Sequence, residues 1–145
     1  MDPLTHLILT RTLVATERPH QPAILLAGVA PDLTWYLVYP AWVIAKGQPR
    51  AALASGDWPE PPAWLVVAHH ATHSIPLALI AAGFIRLATG RWPRRVLAAW
   101  LLHIVVDIPT HSRRQWGPRF LWPLSTFSVD GISWVEIVRR SWGGR

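Results

Sequence analysis

Cysteine is absent from this 145-residue chain. That excludes a disulfide scaffold, a cysteine-based zinc ribbon and a cysteine nucleophile, and leaves any metal to imidazole and carboxylate. Charge is scarce: 15% of residues, against 51% apolar, which excludes a disordered chain. Acidic residues number only eight, and of the 14 cations a single one, Lys46, is not arginine. Arginine dominance favours flat anionic partners such as phosphate. Internal repeats and low-complexity tracts are missing, so a solenoid is excluded. Period-two alternation is also missing, and with it the signature of a half-buried sheet. No apolar run of about 20 residues is free of histidine, aspartate or proline, so no segment is an unambiguous membrane span.

Tryptophan and proline are plentiful, with 10 and 14 copies. A chain rich in Trp and Arg but poor in charge suits a membrane interface, or a compact helical protein with a wet, polar centre. Proline punctuates it. Asp2 and Pro3 read as an N-cap and first helical position, a helix start rather than a secretory signal. His6, Leu9 and Leu13 share a face of that first helix, which runs to about residue 16. Residues 22–44 are expected as two short helices broken at Pro31, because the residue before a proline avoids the helical region. Residues 46–62 read as loop. Residues 63–88 form the longest apolar run, kinked at Pro76 or restarted by Ser74 as a cap, and stopped by Gly90. A further helix covers 93–108. Residues 111–132 are expected as an ordered loop, and Ser133-Trp134-Val135-Glu136 as the capping box of a last short helix. The expected fold is one all-α domain over 1–145, a compact bundle of about four to six helices with proline breaks, membrane-embedded or membrane-associated.

Chemistry concentrates in two pairs. His103 and Asp107 are four apart on a helix, about 40° apart around its axis, and can converge on one cation. His69 and His73 repeat the device, while His70 points about 100° away. Each pair sits on a strongly apolar helix, where a polar group without a partner is costly. Asp32 at the expected helix break and His6 on the first helix complete a set of metal ligands: His6, Asp32, His69, His73, His103 and Asp107. His111 follows Asp107 by four, but Pro109 intervenes, and neither His70 nor His111 is given a role. His20 reads as surface. The donor set suits zinc first, with manganese or iron in a more oxygen-rich shell.

Thr5-His6, Ala30-Pro31-Asp32, the run His69 to Ser74, the run Leu102 to Ser112, Pro118 to Ser125 and Val129 to Trp134 occur in this order. Together they resemble a family of small bacterial inner-membrane proteins described as metal-dependent hydrolases. That family is in turn similar to the all-α zinc-dependent phospholipases C and single-strand nucleases. The resemblance implies a bacterial inner-membrane location and a cluster of cations acting on phosphodiesters. It places ligand roles on His6, Asp32, His73 or His69, His103 and Asp107, with Asp107 bridging two metals. A second downstream His-x-x-x-Glu is missing here, so a third metal is not expected.

The leading expectation is a membrane-associated metal-dependent hydrolase of phosphate esters, a phosphodiester or a lipid headgroup. Asp32 would orient or deprotonate the attacking water, or ligate, and Arg113 or Arg114 would hold the substrate phosphate. The rival is a non-catalytic metal-binding membrane protein with a structural, transport or partner-binding role. Membrane lipid and a small phosphate ester are the expected partners. Nucleic acid is disfavoured, since the basic residues form no single tract.

Overall fold

A computed structural model describes residues 2–15, 20–47, 59–113, 117–133 and 137. The described residues form five helices and no strands. Helix α1 is Pro3–Leu13, α2 is Gln21–Ala45, α3 is Ala63–Thr72, α4 is Ile75–Thr89 and α5 is Arg94–Thr110. Helix α2 packs against α1 and α5, which also touch each other, and α3 packs against α2 and α4.

Local sequence accounts for most boundaries. The Asp2 carboxylate accepts the Thr5 N–H at 3.0 Å, Pro3 opens α1, and Gly90 ends α4 at φ 73°, the conformation glycine adopts without a Cβ penalty. The face of α1 differs from expectation. His6 and Thr10 are buried, Leu9 is half-buried and Leu13 is exposed. The inner face of α1 is therefore polar, because what it meets is a polar centre.

At one proline the chain departs from expectation, and beside another it follows the expected restart at Ser74. Helix α2 does not break at Pro31 but runs through it, and the irregularity follows as a π turn over Thr34–Val38. The Tyr39 N–H reaches back five residues to Thr34. Pro40 has no N–H to give one turn back, so the wider turn falls where regular bonding lapses. The Pro31 carbonyl accepts the Thr34 hydroxyl at 3.0 Å and the Thr72 hydroxyl of α3 at 3.3 Å. The apolar run 63–88 is two helices, bent by 68° at His73 and Ser74. Ser74 caps α4 by accepting the Leu77 N–H at 3.1 Å, and its own hydroxyl donates to the Trp122 carbonyl.

The loop expected after α5 carries no helix or strand among the described residues of 111–132. It is tied down by Gly131 N–H to His111 O, Ile132 N–H to Pro109 O and Ile75 N–H to Phe120 O, each at 2.8–2.9 Å. Of the expected last helix, Trp134, Val135 and Glu136 lie outside the described residues. The Ile137 N–H bonds the Ser133 carbonyl at 3.1 Å.

Apolar burial is modest. Ala15, Ile24 and Ala99 form one cluster, Tyr39, Val43 and Leu65 another. Among the described residues nine hydrophobic ones are buried against ten polar or charged ones, among them His6, Asp32, His69, His70, His73, His103 and Asp107. Large apolar side chains lie outside instead: Leu4, Leu26, Leu37, Phe84 and Leu87 are each at least 59% exposed. Helix α2, 25 residues long, is apolar and long enough to cross a membrane, and α3 with α4 passes the same test only as a bent pair.

Candidate metal centre

The polar centre is built from four helices. Helix α1 supplies His6, α2 supplies Asp32, the C-terminal cap of α3 supplies His73, and α5 supplies His103 and Asp107. His6, Asp32, His103 and Asp107 each offer one ligand atom, all within 4.8 Å of one another, and all four are buried. Such a group could hold a metal ion.

Backbone carbonyls decide which ring nitrogens face the centre. His103 Nδ1 lies 2.8 Å from the Gly28 carbonyl, and His73 Nδ1 lies 2.9 Å from the His69 carbonyl. A carbonyl only accepts, so both Nδ1 atoms carry the hydrogen, and Nε2 of each neutral ring presents a lone pair inward. These two Nε2 atoms are 3.2 Å apart. Asp107 Oδ2 is 3.3 Å from His103 Nε2 and 3.4 Å from His73 Nε2, and Asp32 Oδ1 is 3.7 and 3.8 Å from the same two atoms. A tetrahedral cation with bonds of about 2.0–2.1 Å separates its ligands by about 3.3 Å. These five separations among two imidazoles and two carboxylates match that edge to within about half an ångström.

The carboxylates divide their oxygens between two sides. His6 Nε2 lies 3.0 Å from Asp107 Oδ1 and 3.8 Å from Asp32 Oδ2, and His111 Nδ1 approaches Asp107 Oδ1 at 3.5 Å. Asp32 Oδ2 is buried without a hydrogen-bond partner. Burial pushes the Asp107 carboxyl up, but its contacts with His103, His6 and His73, whose facing ring nitrogens donate to it when protonated, outweigh burial and hold it below the usual carboxylate range. Burial lowers His111, against the opposing pull of Asp107. Lone pairs converging in a buried site call for a cation among them, whether a proton or a metal. The nitrogen and oxygen donor set, without sulfur, fits zinc, manganese or iron.

The ligands expected from sequence are thus brought together with one exception. The His69 ring packs against His73 at 4.1 Å between centroids, and it is the His69 backbone carbonyl that serves the site by orienting His73. His70 is buried beside it, with neither ring nitrogen hydrogen-bonded. Arg113 is exposed. Its Nε donates to the Ser128 carbonyl at 2.8 Å and its backbone N–H to Asp130 at 2.9 Å. Arg114 lies outside the described residues. His20 is exposed, as expected.

Of three supporting residues, the sequence reading touched only Thr72, near which Pro76 frees a backbone carbonyl. The Thr72 hydroxyl bridges toward the His69 and Pro31 carbonyls, at 3.0 and 3.3 Å, and Trp100 Nε1–H holds the Thr72 carbonyl at 2.7 Å. The third, Gly28, carried a usable signal, because a glycine inside an apolar helical pattern marks close approach. His111 was noticed but unassigned; Pro109 stays within the last turn of α5, so the four-residue spacing from Asp107 survives. Compared with family models, curated proteins and solved structures, the chain has no match.

Proposed function

We propose that this chain is a membrane-associated, metal-dependent hydrolase of phosphate esters. The observation that carries the reading is the convergence of the His73 and His103 lone pairs with the Asp32 and Asp107 carboxylates at tetrahedral-edge spacing. The motif resemblance to bacterial inner-membrane metal-dependent hydrolases supports the reaction class and location. A divalent cation, zinc first, would be held by His6, Asp32, His73, His103 and Asp107, and the divided carboxylate oxygens suit either one cation or two. Bound there, it supplies Lewis acidity toward a phosphoryl oxygen and acidifies water.

The chain's own residues have distinct parts. Asp32 Oδ2, buried and without a hydrogen-bond partner, is placed to orient the attacking water or accept its proton. His111 has 19% of its side chain exposed, against 6% or less for the other cluster side chains around Asp107, so substrate approaches from its side. Arg113, two residues on, directs an exposed guanidinium outward there, and Arg114 would share the phosphate. The exposed apolar side chains of α1, α2 and α4 support contact with lipid, which makes a lipid headgroup ester the favoured substrate.

The depth of the ligands favours one rival, a closed metal site in a non-catalytic membrane protein. The test is metal analysis of the purified protein, followed by turnover of a chromogenic phosphodiester and of phospholipid vesicles, with and without chelator. Chelator-sensitive turnover that Asp32→Asn lowers at least 100-fold supports the hydrolase. Stoichiometric metal without turnover supports the closed site.

A further inference from the structure

Gly28 stands at a junction that ordinary helix packing does not require. Its carbonyl, on α2, accepts the His103 Nδ1–H at 2.8 Å. On the same residue, a Cβ would meet Thr10 of α1 at 2.1 Å from Oγ1 and 2.9 Å from both Cβ and Cγ2. Rotating the threonine cannot relieve this, because its Cβ is itself too close. Ordinary contact is about 3.5 Å, so any side chain at Gly28 drives α1 outward by about 1 Å. Thr10 is 1% exposed and sits one turn after His6 on the same face. The His6 ring in turn stacks on His103, with centroids 3.7 Å apart and planes at 25°.

We infer that Gly28 and Thr10 form a spacing contact that positions two ligands at once, His6 through the approach of α1 and His103 through the Gly28 carbonyl, and so sets the affinity of the site for a divalent cation. The inference rests on the metal reading above. Gly28 touches no ligand atom that faces the centre and is a positioning residue. Its hydrogen bond fixes the His103 tautomer, and its missing side chain fixes the distance between α1 and α2. Groups that orient a ligand's second nitrogen are worth on the order of 10- to 100-fold in metal affinity.

The test titrates zinc into the metal-free full-length protein and into Gly28→Ala, Thr10→Gly and the double variant. Imidazole nitrogen NMR spectra of each metal-free protein are recorded beside it. Gly28→Ala is expected to bind zinc about 10- to 100-fold more weakly. Thr10→Gly should bind near wild type, and the double variant should regain most of the loss, since it removes the three atoms nearest the new Cβ. The hydrogen-bonded His103 Nδ1–H signal should vanish in Gly28→Ala and return in the double variant. Wild-type affinity in Gly28→Ala, or a double variant that folds but stays weak, overturns the inference. If Gly28→Ala fails to fold, the comparison of Thr10→Gly with the double variant decides it. If the wild type binds no zinc, the metal reading fails instead, and the NMR arm still judges the contact: an unchanged His103 signal in Gly28→Ala overturns it.

Discussion

Asp107 shows how a single side chain comes to depend on its surroundings. It is 1% exposed, and its two oxygens face four histidines: His6 and His111 on one, His73 and His103 on the other. Those rings satisfy the carboxylate when they point inward with hydrogens or share a cation with it. Asp107→Asn keeps the shape and removes one negative charge. With a metal bound, the variant should lose affinity by at least about 100-fold, as expected for a lost carboxylate ligand rather than a supporting group. Without metal it should be less stable than wild type, because the histidine contacts that hold the Asp107 carboxylate ionised lose their charged partner. Melting curves of both proteins with zinc and with chelator check this. A wild-type melting temperature that chelator leaves unchanged, with protein free of metal after zinc supplementation, would sink the site. The pairing itself was legible, since His103 and Asp107 at four-residue spacing share a helix face. The choice of His73 over His69 was not. It depends on the chain turning at His73, which frees that ring from the helix wall and leaves His69 to serve through its carbonyl.

At the level of the element, the bend between α3 and α4 does the positioning. Residues 63–88 read as one apolar run. The turn at His73 and Ser74 is what aims the His73 ring at the centre while α4 departs at 68°. Ser74 is fully buried, caps α4 and ties it to the Trp122 carbonyl. Ser74→Ala removes a cap and orphans a buried carbonyl. It should cost about 2 kcal/mol or more, the sum of a typical cap and a lost buried hydrogen bond. Urea denaturation gives the stability, and zinc titration of the same variant should show weakened binding through the displaced His73. A change below about 0.5 kcal/mol would place Ser74 with ordinary surface positions. The bend was half legible: Ser74 followed by Pro76 is a helix-start signature. Pro31 misled in the opposite direction. Packing of α2 against α1 and α5 holds Gly28, Pro31 and Asp32 buried in one helix, and that outweighs the local preference of a proline to interrupt.

Taken whole, the molecule is polar inside and apolar outside. Among the described residues ten buried ones are polar or charged, while Leu4, Leu37, Ile44, Phe84 and Leu87 stand open. Leaving such side chains in water forgoes about 1.5–3 kcal/mol each. The expected outcome is partition with membranes that survives high-salt and alkaline washing, with extraction only by detergent. Fractionation of expressing cells checks it. Release into buffer as a monodisperse species would show that the outer apolar surface is covered by something other than lipid.

Sequence by itself determined the helical class, most helix ends and the list of groups able to bind a cation, because these follow from spacing and from residue chemistry that act over a few residues. Asp2, Ser74 and Gly90 each fix a local backbone state that no distant contact needs to supply. Tertiary structure decided which of those groups meet. His6 and Asp107 are 101 residues apart in the chain and 3.0 Å apart in space, and nothing in either neighbourhood encodes that. The meeting depends on how closely α1 can approach α2, on a glycine whose importance lies in the atom it lacks, and on a bend that turns one histidine of a pair inward. Those are properties of packed surfaces, where a fit of about an ångström separates a ligand set from a group of buried histidines.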